Sequence, residues 1–213
     1  MKRTTLLLVL LLTAIPLFAG TANMYFVGFS TLNPTWEAGY PYRATADLGP
    51  VINVMCDDWF HGGFPSQQWV ANVTNLGTGN LSLLRFNQLT DALTLYHEAG
   101  WLLLQAEATP PLDWQDRQNI NFAVWKTFDP NTDFNLDPQG PLGPLSWMAK
   151  ANAEAAAGFP GVDFSQIVIY TPVYQYDPNA PGPQELLTTV PEPATLILLA
   201  GGALAAWGRK KLG

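Results

Sequence analysis

Three groups of side chains in this sequence are of a type and spacing that can do chemistry. The first is the single cysteine, Cys56, in Val54-Met55-Cys56-Asp57-Asp58-Trp59. One thiol makes neither an internal disulfide nor a cysteine zinc site, which leaves a reactive thiol or a small buried hydrophobe. Thiolate is the nucleophile, and the carboxylates of Asp57 and Asp58 raise the thiol pKa and disfavour it. The second group is Asp129, Asn131, Asp133, Asn135 and Asp137, an oxygen-bearing side chain at every second position. A turning backbone that alternates in this way aims ligands at calcium, which takes about six to eight oxygens. An EF-hand would need Gly where Phe134 stands and Glu where Gly140 stands, so that loop is not met. The other reading is an Asx-rich solvated turn after a helix. The third group is His61, near Asp57 and Asp58, and His97 beside Glu98. Neither has a second His at metal spacing or a Ser in a nucleophile elbow, so no zinc site and no complete catalytic set is present.

The elements that must position these groups follow from periodicity. Met24–Phe29 is aromatic and β-branched, Pro50–Met55 leads into Cys56, and Gln68–Leu76 alternates, so all three read as strands with Gly62-Gly63, Gly77 and Gly79 at turns. Phe86, Leu89, Leu93, Tyr96, Gly100 and Leu103 recur at helical spacing, predicting an amphipathic helix over about 86–105. Pro110-Pro111 ends it. Further helices are predicted over about 117–128, from Ile120, Val124 and Phe128, and over about 145–157, with a late strand over 166–170. The Pro, Asn and Gly content of 176–189 predicts an extended linker. The expectation is one α+β domain over residues 23–175, with strands first, helices in the middle and a strand returning to the sheet.

The two ends of the 213-residue chain have a different grammar. Lys2 and Arg3 precede an apolar run from Leu6 to Phe18, followed by small residues, which is the order of a secretory signal peptide over residues 1–22. Gly20 and Ala22 suit the third and first positions before a cut, making Asn23 the first mature residue. Val190, Pro191, Glu192 and Pro193 precede a second apolar stretch, Ala194–Trp207, and then Arg209, Lys210 and Lys211. That stretch is short of the roughly 20 residues of a comfortable transmembrane helix, but tilt or local thinning accommodates it. The basic tail would stay cytoplasmic, giving a membrane-tethered precursor with its bulk exported. Setting both ends aside leaves 16 acidic and 5 basic residues, a formal charge of −11 against −7 for the whole chain. Such a surface excludes nucleic acid as a partner and repels anionic lipid and polysaccharide.

The run Val190-Pro191-Glu192-Pro193, a short Leu/Gly/Ala segment and a terminal Arg/Lys cluster together resemble the PEP-CTERM sorting signal, also known as the ice-binding-protein C-terminal domain. That resemblance implies recognition of Pro-Glu-Pro by an exosortase, a membrane cysteine transpeptidase. It also implies removal of the tail and delivery to the surface or exopolysaccharide matrix of a Gram-negative bacterium.

A second resemblance joins Cys56 to Ile120-Asn121-Phe122-Ala123-Val124-Trp125. The two segments are similar to the signatures of bacterial thioester domains, in which a Cys at a strand end pairs with the Gln of a Thr-Gln-x-Ala-Ile-Trp segment. The resemblance implies that Cys56 faces residue 121 and that a thiol can displace ammonia from an amide there. Asn121 stands where Gln is required, one methylene shorter and about 1.5 Å less in reach, where reacting atoms must meet closely. The resulting expectation is a non-enzymatic exported protein, structural or adhesive, with no cofactor or with calcium. Exosortase, the membrane and exopolysaccharide are its expected partners. The competing expectation is a covalent adhesin with an internal Cys56–Asn121 cross-link.

Overall fold

Among the described residues, β-branched and aromatic runs pair into six strands: Gly20–Phe29 (β1), Tyr42–Ala46 (β2), Ile52–Cys56 (β3), Gln68–Asn75 (β4), Ile167–Pro172 (β5) and Leu186–Thr189 (β6). They close into a barrel in the order β1-β2-β3-β6-β5-β4, and every neighbouring pair is antiparallel. Among the described residues, three helices follow β4 in sequence: Ala92–Ala106 (α1), Trp114–Phe128 (α2) and Pro144–Ala156 (α3). The computed structural model describes residues 20–29, 40–59, 65–108, 112–131, 143–173 and 182–190.

Side-chain alternation buries one face of β1, β2 and β4 and both faces of β3, β5 and β6. Met24, Phe26, Val54, Cys56, Ala71 and Leu186 fill the barrel interior, whereas Met55, Ile167, Ile169 and Leu187 join the helical core of Tyr96, Leu102 and Ile120. Helix α2 belongs to both cores. Its Ile120, Ala123, Val124 and Phe128 enter the helical cluster, and its Phe122 and Trp125 enter the barrel cluster. From Gln118 onward only Lys126 escapes burial. That is why the helix reads weakly as amphipathic and yet sits at the centre of the domain.

The α+β expectation holds, with strands, three helices and a late strand, but the sheet is a closed barrel and two of its strands were not anticipated. β2 is short and diluted by Arg43 and Ala44. The larger correction concerns 176–189, read as an extended linker: Leu186–Thr189 is β6, buried between β3 and β5. One of two compact units accordingly runs Phe18–Thr189. At the other end, Gly20–Ala22, read as the close of a signal peptide, pair with Val73–Ala71 as the first rungs of β1.

The first helix starts at Ala92 rather than near 86. Residues 81–92 instead make successive three-residue turns, Leu84 N–H to Leu81 O, Asn87 N–H to Leu84 O, Leu89 N–H to Phe86 O and Ala92 N–H to Leu89 O. Such turns bring apolar residues to one side every third position, which a helical period mimics. Asp91, at φ 60°, then opens α1 without a side-chain cap.

Where β4 leaves the barrel, Gly77 lies against the backbone of Ser165. A Cβ there would come within 2.7 Å of Ser165 Cα and 2.8 Å of its nitrogen. Gly77→Ala is expected to destabilise the domain by about 1–3 kcal/mol, the usual range for forced overpacking. A urea midpoint unchanged by the substitution would show that the two loops are free to separate.

Candidate functional site

Strand β3 ends in Cys56, whose side chain is fully buried and points into the barrel beside Val54 and Leu186. The thiol is already engaged locally: Sγ donates to the Asp58 carbonyl at 3.1 Å and accepts from the Asp58 N–H at 3.3 Å. Burial pushes the thiol pKa well up, the Asp57 and Glu185 carboxyls push the same way, and the Trp125 indole and Arg85 oppose them. The structure therefore holds Cys56 as a protonated thiol.

Helix α2 brings the second half of the site. Its start is fixed by Asp113, whose carboxylate accepts from the Asp116 N–H at 2.8 Å. Two turns later Asn121 and Trp125, four residues apart and so on one helix face, meet the end of β3. Asn121 Nδ2 donates to the Cys56 carbonyl oxygen at 3.1 Å. Its Oδ1 is buried without a donor. Trp125 lies 5.3 Å from Phe122 and 4.8 Å from the half-exposed Trp59, ring centre to ring centre. The structure thus brings Cys56 and Asn121 together as the resemblance implied, but the Asn121 amide is committed to the backbone of Cys56.

On the opposite face of the same strand end lies a buried charged cluster that residue spacing did not reveal. Glu185, fully buried, accepts from Tyr96 Oη at 2.5 Å, from the Arg85 N–H at 2.9 Å and from Thr171 Oγ1. Asp58 is ion-paired with Arg85, which also donates to the Pro183 carbonyl at 3.0 Å. Burial and the facing Glu185 raise the Tyr96 phenol pKa far above its usual value. A second carboxylate, Glu107, accepts from Thr189 Oγ1 at 2.8 Å and from Tyr40 Oη. Tyr96 lies on α1 and Glu107 caps its end, so this one helix ties β6 at both of its ends. The available signal was Glu185 itself, an acid immediately before the apolar pair Leu186-Leu187.

The other sequence-predicted residues are dispersed. Asn131 N–H donates to Asp129 Oδ1 at 3.1 Å, an Asx turn after α2, while Asp133, Asn135 and Asp137 lie outside the described residues. Among the described residues no group of three or more His, Cys, Asp or Glu side chains is placed to hold a metal ion. His97 stacks on Phe164, 4.0 Å between ring centres, and burial lowers its pKa. His61 lies outside the described residues. Ala22 is buried in β1, and the Asn23 N–H donates to Asp47 Oδ1 at 2.8 Å. Val190 follows β6 directly and is half-buried, while Pro191, Glu192, Pro193, Arg209, Lys210 and Lys211 lie outside the described residues. Among the described residues no helix is long and apolar enough to cross a membrane.

Comparison with known proteins adds two findings. Residues 189–211 match the family model of the PEP-CTERM protein-sorting motif, the mark of an exported, exosortase-sorted protein. No curated protein matches the chain significantly. Among solved structures, the N-terminal domain of the Streptococcus pyogenes pilus tip adhesin Cpa is similar at TM-score 0.50 and 12% identity, covering 83% of this chain and 96% of that one. The N-terminal thioester domain of a surface protein from Clostridium perfringens gives TM-score 0.46 and 13% identity, covering 80% of this chain and 98% of that one. At 12% identity the likeness to the Cpa domain is one of fold. Residues 189–211 are a PEP-CTERM sorting signal that begins at the last residue of β6, in a chain whose barrel-and-helix domain shares its fold with the N-terminal domain of a pilus tip adhesin.

Proposed function

We propose that the chain is a surface or extracellular-matrix protein, sorted by exosortase, whose barrel-and-helix domain is a non-enzymatic adhesive or structural module. The observation that carries this reading is the direct junction between an adhesin-like fold and the sorting signal, with Thr189 the last residue of β6 and the first of the signal. The closed state of the thiol supports a domain that acts through non-covalent contacts. The −11 charge favours a neutral or cationic polymer over an anionic one, so neutral exopolysaccharide is the matrix component it would bind.

A second reading, an internal thioester, is favoured by one observation, the Asn121 amide resting on Cys56. In that reaction the Cys56 sulfur bonds to Asn121 Cγ, the Cγ–Nδ2 bond breaks, and the thiol proton leaves with the nitrogen as ammonia. Intact-mass measurement of the purified domain separates the two. The expected result is the full unmodified mass, with Cys56 alkylated after unfolding and protected before it. Loss of one ammonia with no alkylatable thiol would replace the first reading with the second.

A further inference from the structure

Strand β3 meets β6 through only two ladder pairs, Met55 with Leu187 and Cys56 with Leu186, the shortest seam in the barrel. Continuing that register by one residue sets Asp57 directly opposite Glu185, and the Asp57 N–H reaches the Glu185 carbonyl only at 3.5 Å. Side chains directly opposite in an antiparallel pair have Cβ atoms about 4.5–5.5 Å apart. Both residues are buried, Asp57 at 1% and Glu185 at 0% exposure.

The groups around the pair fix its charge. Glu185 accepts hydrogen bonds from Tyr96 of α1, from Thr171 of β5 and from the Arg85 backbone. These three donors suit a carboxylate. The Arg85 guanidinium is ion-paired with Asp58, and Cys56 is a buried protonated thiol. Both Asp57 oxygens are buried without a donor. Three buried carboxyls thus face one guanidinium, and two carboxylates on opposite rungs of a dry seam cannot both be ionised.

We propose that Asp57 and Glu185 share a single proton across the β3–β6 seam, and that this proton latches into the barrel the strand that leads into the sorting signal. Protonated Asp57 donates to Glu185 and closes the seam. Its loss sets two carboxylates against each other beside the shortest ladder, and β6 is the strand that yields. Burial first, then the charge of Glu185, holds the Asp57 carboxyl well above its usual value, with Arg85 opposing.

Asp57→Asn supplies the donor hydrogen at every pH and tests the latch. An acid whose pKa is raised on folding stabilises fully below its unfolded value, near 3.8 here, and loses that contribution as pH rises toward the folded value. Across that window the unfolding equilibrium of the native domain should gain about tenfold per pH unit relative to Asp57→Asn, whose melting temperature moves ahead as pH increases. Amide exchange in 182–190, corrected for the intrinsic pH dependence, should accelerate with pH in the native domain and not in the variant. Parallel stability profiles for the two proteins overturn the shared proton. Diverging profiles with unchanged exchange in 182–190 overturn the latch. If the variant fails to fold, infrared spectra of the native domain decide: a protonated carboxyl carbonyl band at neutral pH supports the shared proton, and its absence overturns it.

Discussion

A chain ended at Gln184 is expected to lose its cooperative unfolding transition, whereas one ended at Val190, lacking only the sorting signal from Pro191 onward, keeps it. Strand β6 supplies Leu186 and Leu187, at 1% and 0% exposure, one to each of the two cores. Burying a leucine side chain contributes about 1.5–3 kcal/mol. Losing Glu185 leaves the Tyr96 and Thr171 hydroxyls buried without their acceptor, at about 1–3 kcal/mol each. The facing edges of β3 and β5 also lose their ladder partners. Together these losses reach the roughly 5–15 kcal/mol that a native domain has in all. Circular dichroism melts of the two truncated chains check this. A cooperative transition in the shorter chain within a few degrees of the longer one would mean that β3 and β5 can close the barrel by themselves.

The same strand shows where sequence reading stops. Residues 176–184 are rich in Pro, Asn and Gly, and that composition conceals a four-residue strand behind it, too short for its alternation to register. Strands β1, β3, β4 and β5 were legible because β-branched and aromatic residues are frequent enough within each run to set a period. Helix α2 was legible from Ile120, Val124 and Phe128, whereas the start of α1 was not, because i to i+3 turns and a helix place Phe86 and Leu89 alike.

The site divides in the same way. That Cys56 meets Asn121 was implied by two short motifs and by nothing in their spacing, since 65 residues separate them. That Asp57 meets Glu185 needs the register of a seam between the third and last strands, which no local pattern encodes. Cys56 alone gave the choice of inert or reactive. The choice is narrowed by the Asp58 backbone, which accepts the thiol proton's hydrogen bond.

Replacing Asn121 by Asp is expected to destabilise the domain by about 3–5 kcal/mol at neutral pH, the loss typical of an uncompensated buried charge. Asn121 is fully buried, and its side chain donates from Nδ2 to the Cys56 carbonyl oxygen. A carboxylate there has no hydrogen to donate and sets its own lone pairs against those of the carbonyl. Below about pH 4, the ordinary aspartate value, the protonated acid can donate in the amide's place and most of the loss should disappear. As pH rises, the unfolded chain ionises freely while the folded one must pay desolvation, so the deficit widens. Asn121→Ala removes the donor without adding a charge, and its loss should stay near 1–3 kcal/mol at both pH values. Urea midpoints for both variants at pH 4 and pH 7 separate a charge effect from a lost hydrogen bond. Equal deficits for Asp and Ala at both pH values would place side chain 121 in contact with water, away from Cys56. Asp is also what hydrolysis of a Cys56–Asn121 thioester would leave behind. A domain in which such a thioester had formed and been hydrolysed would therefore show the same pH-dependent loss of stability as Asn121→Asp.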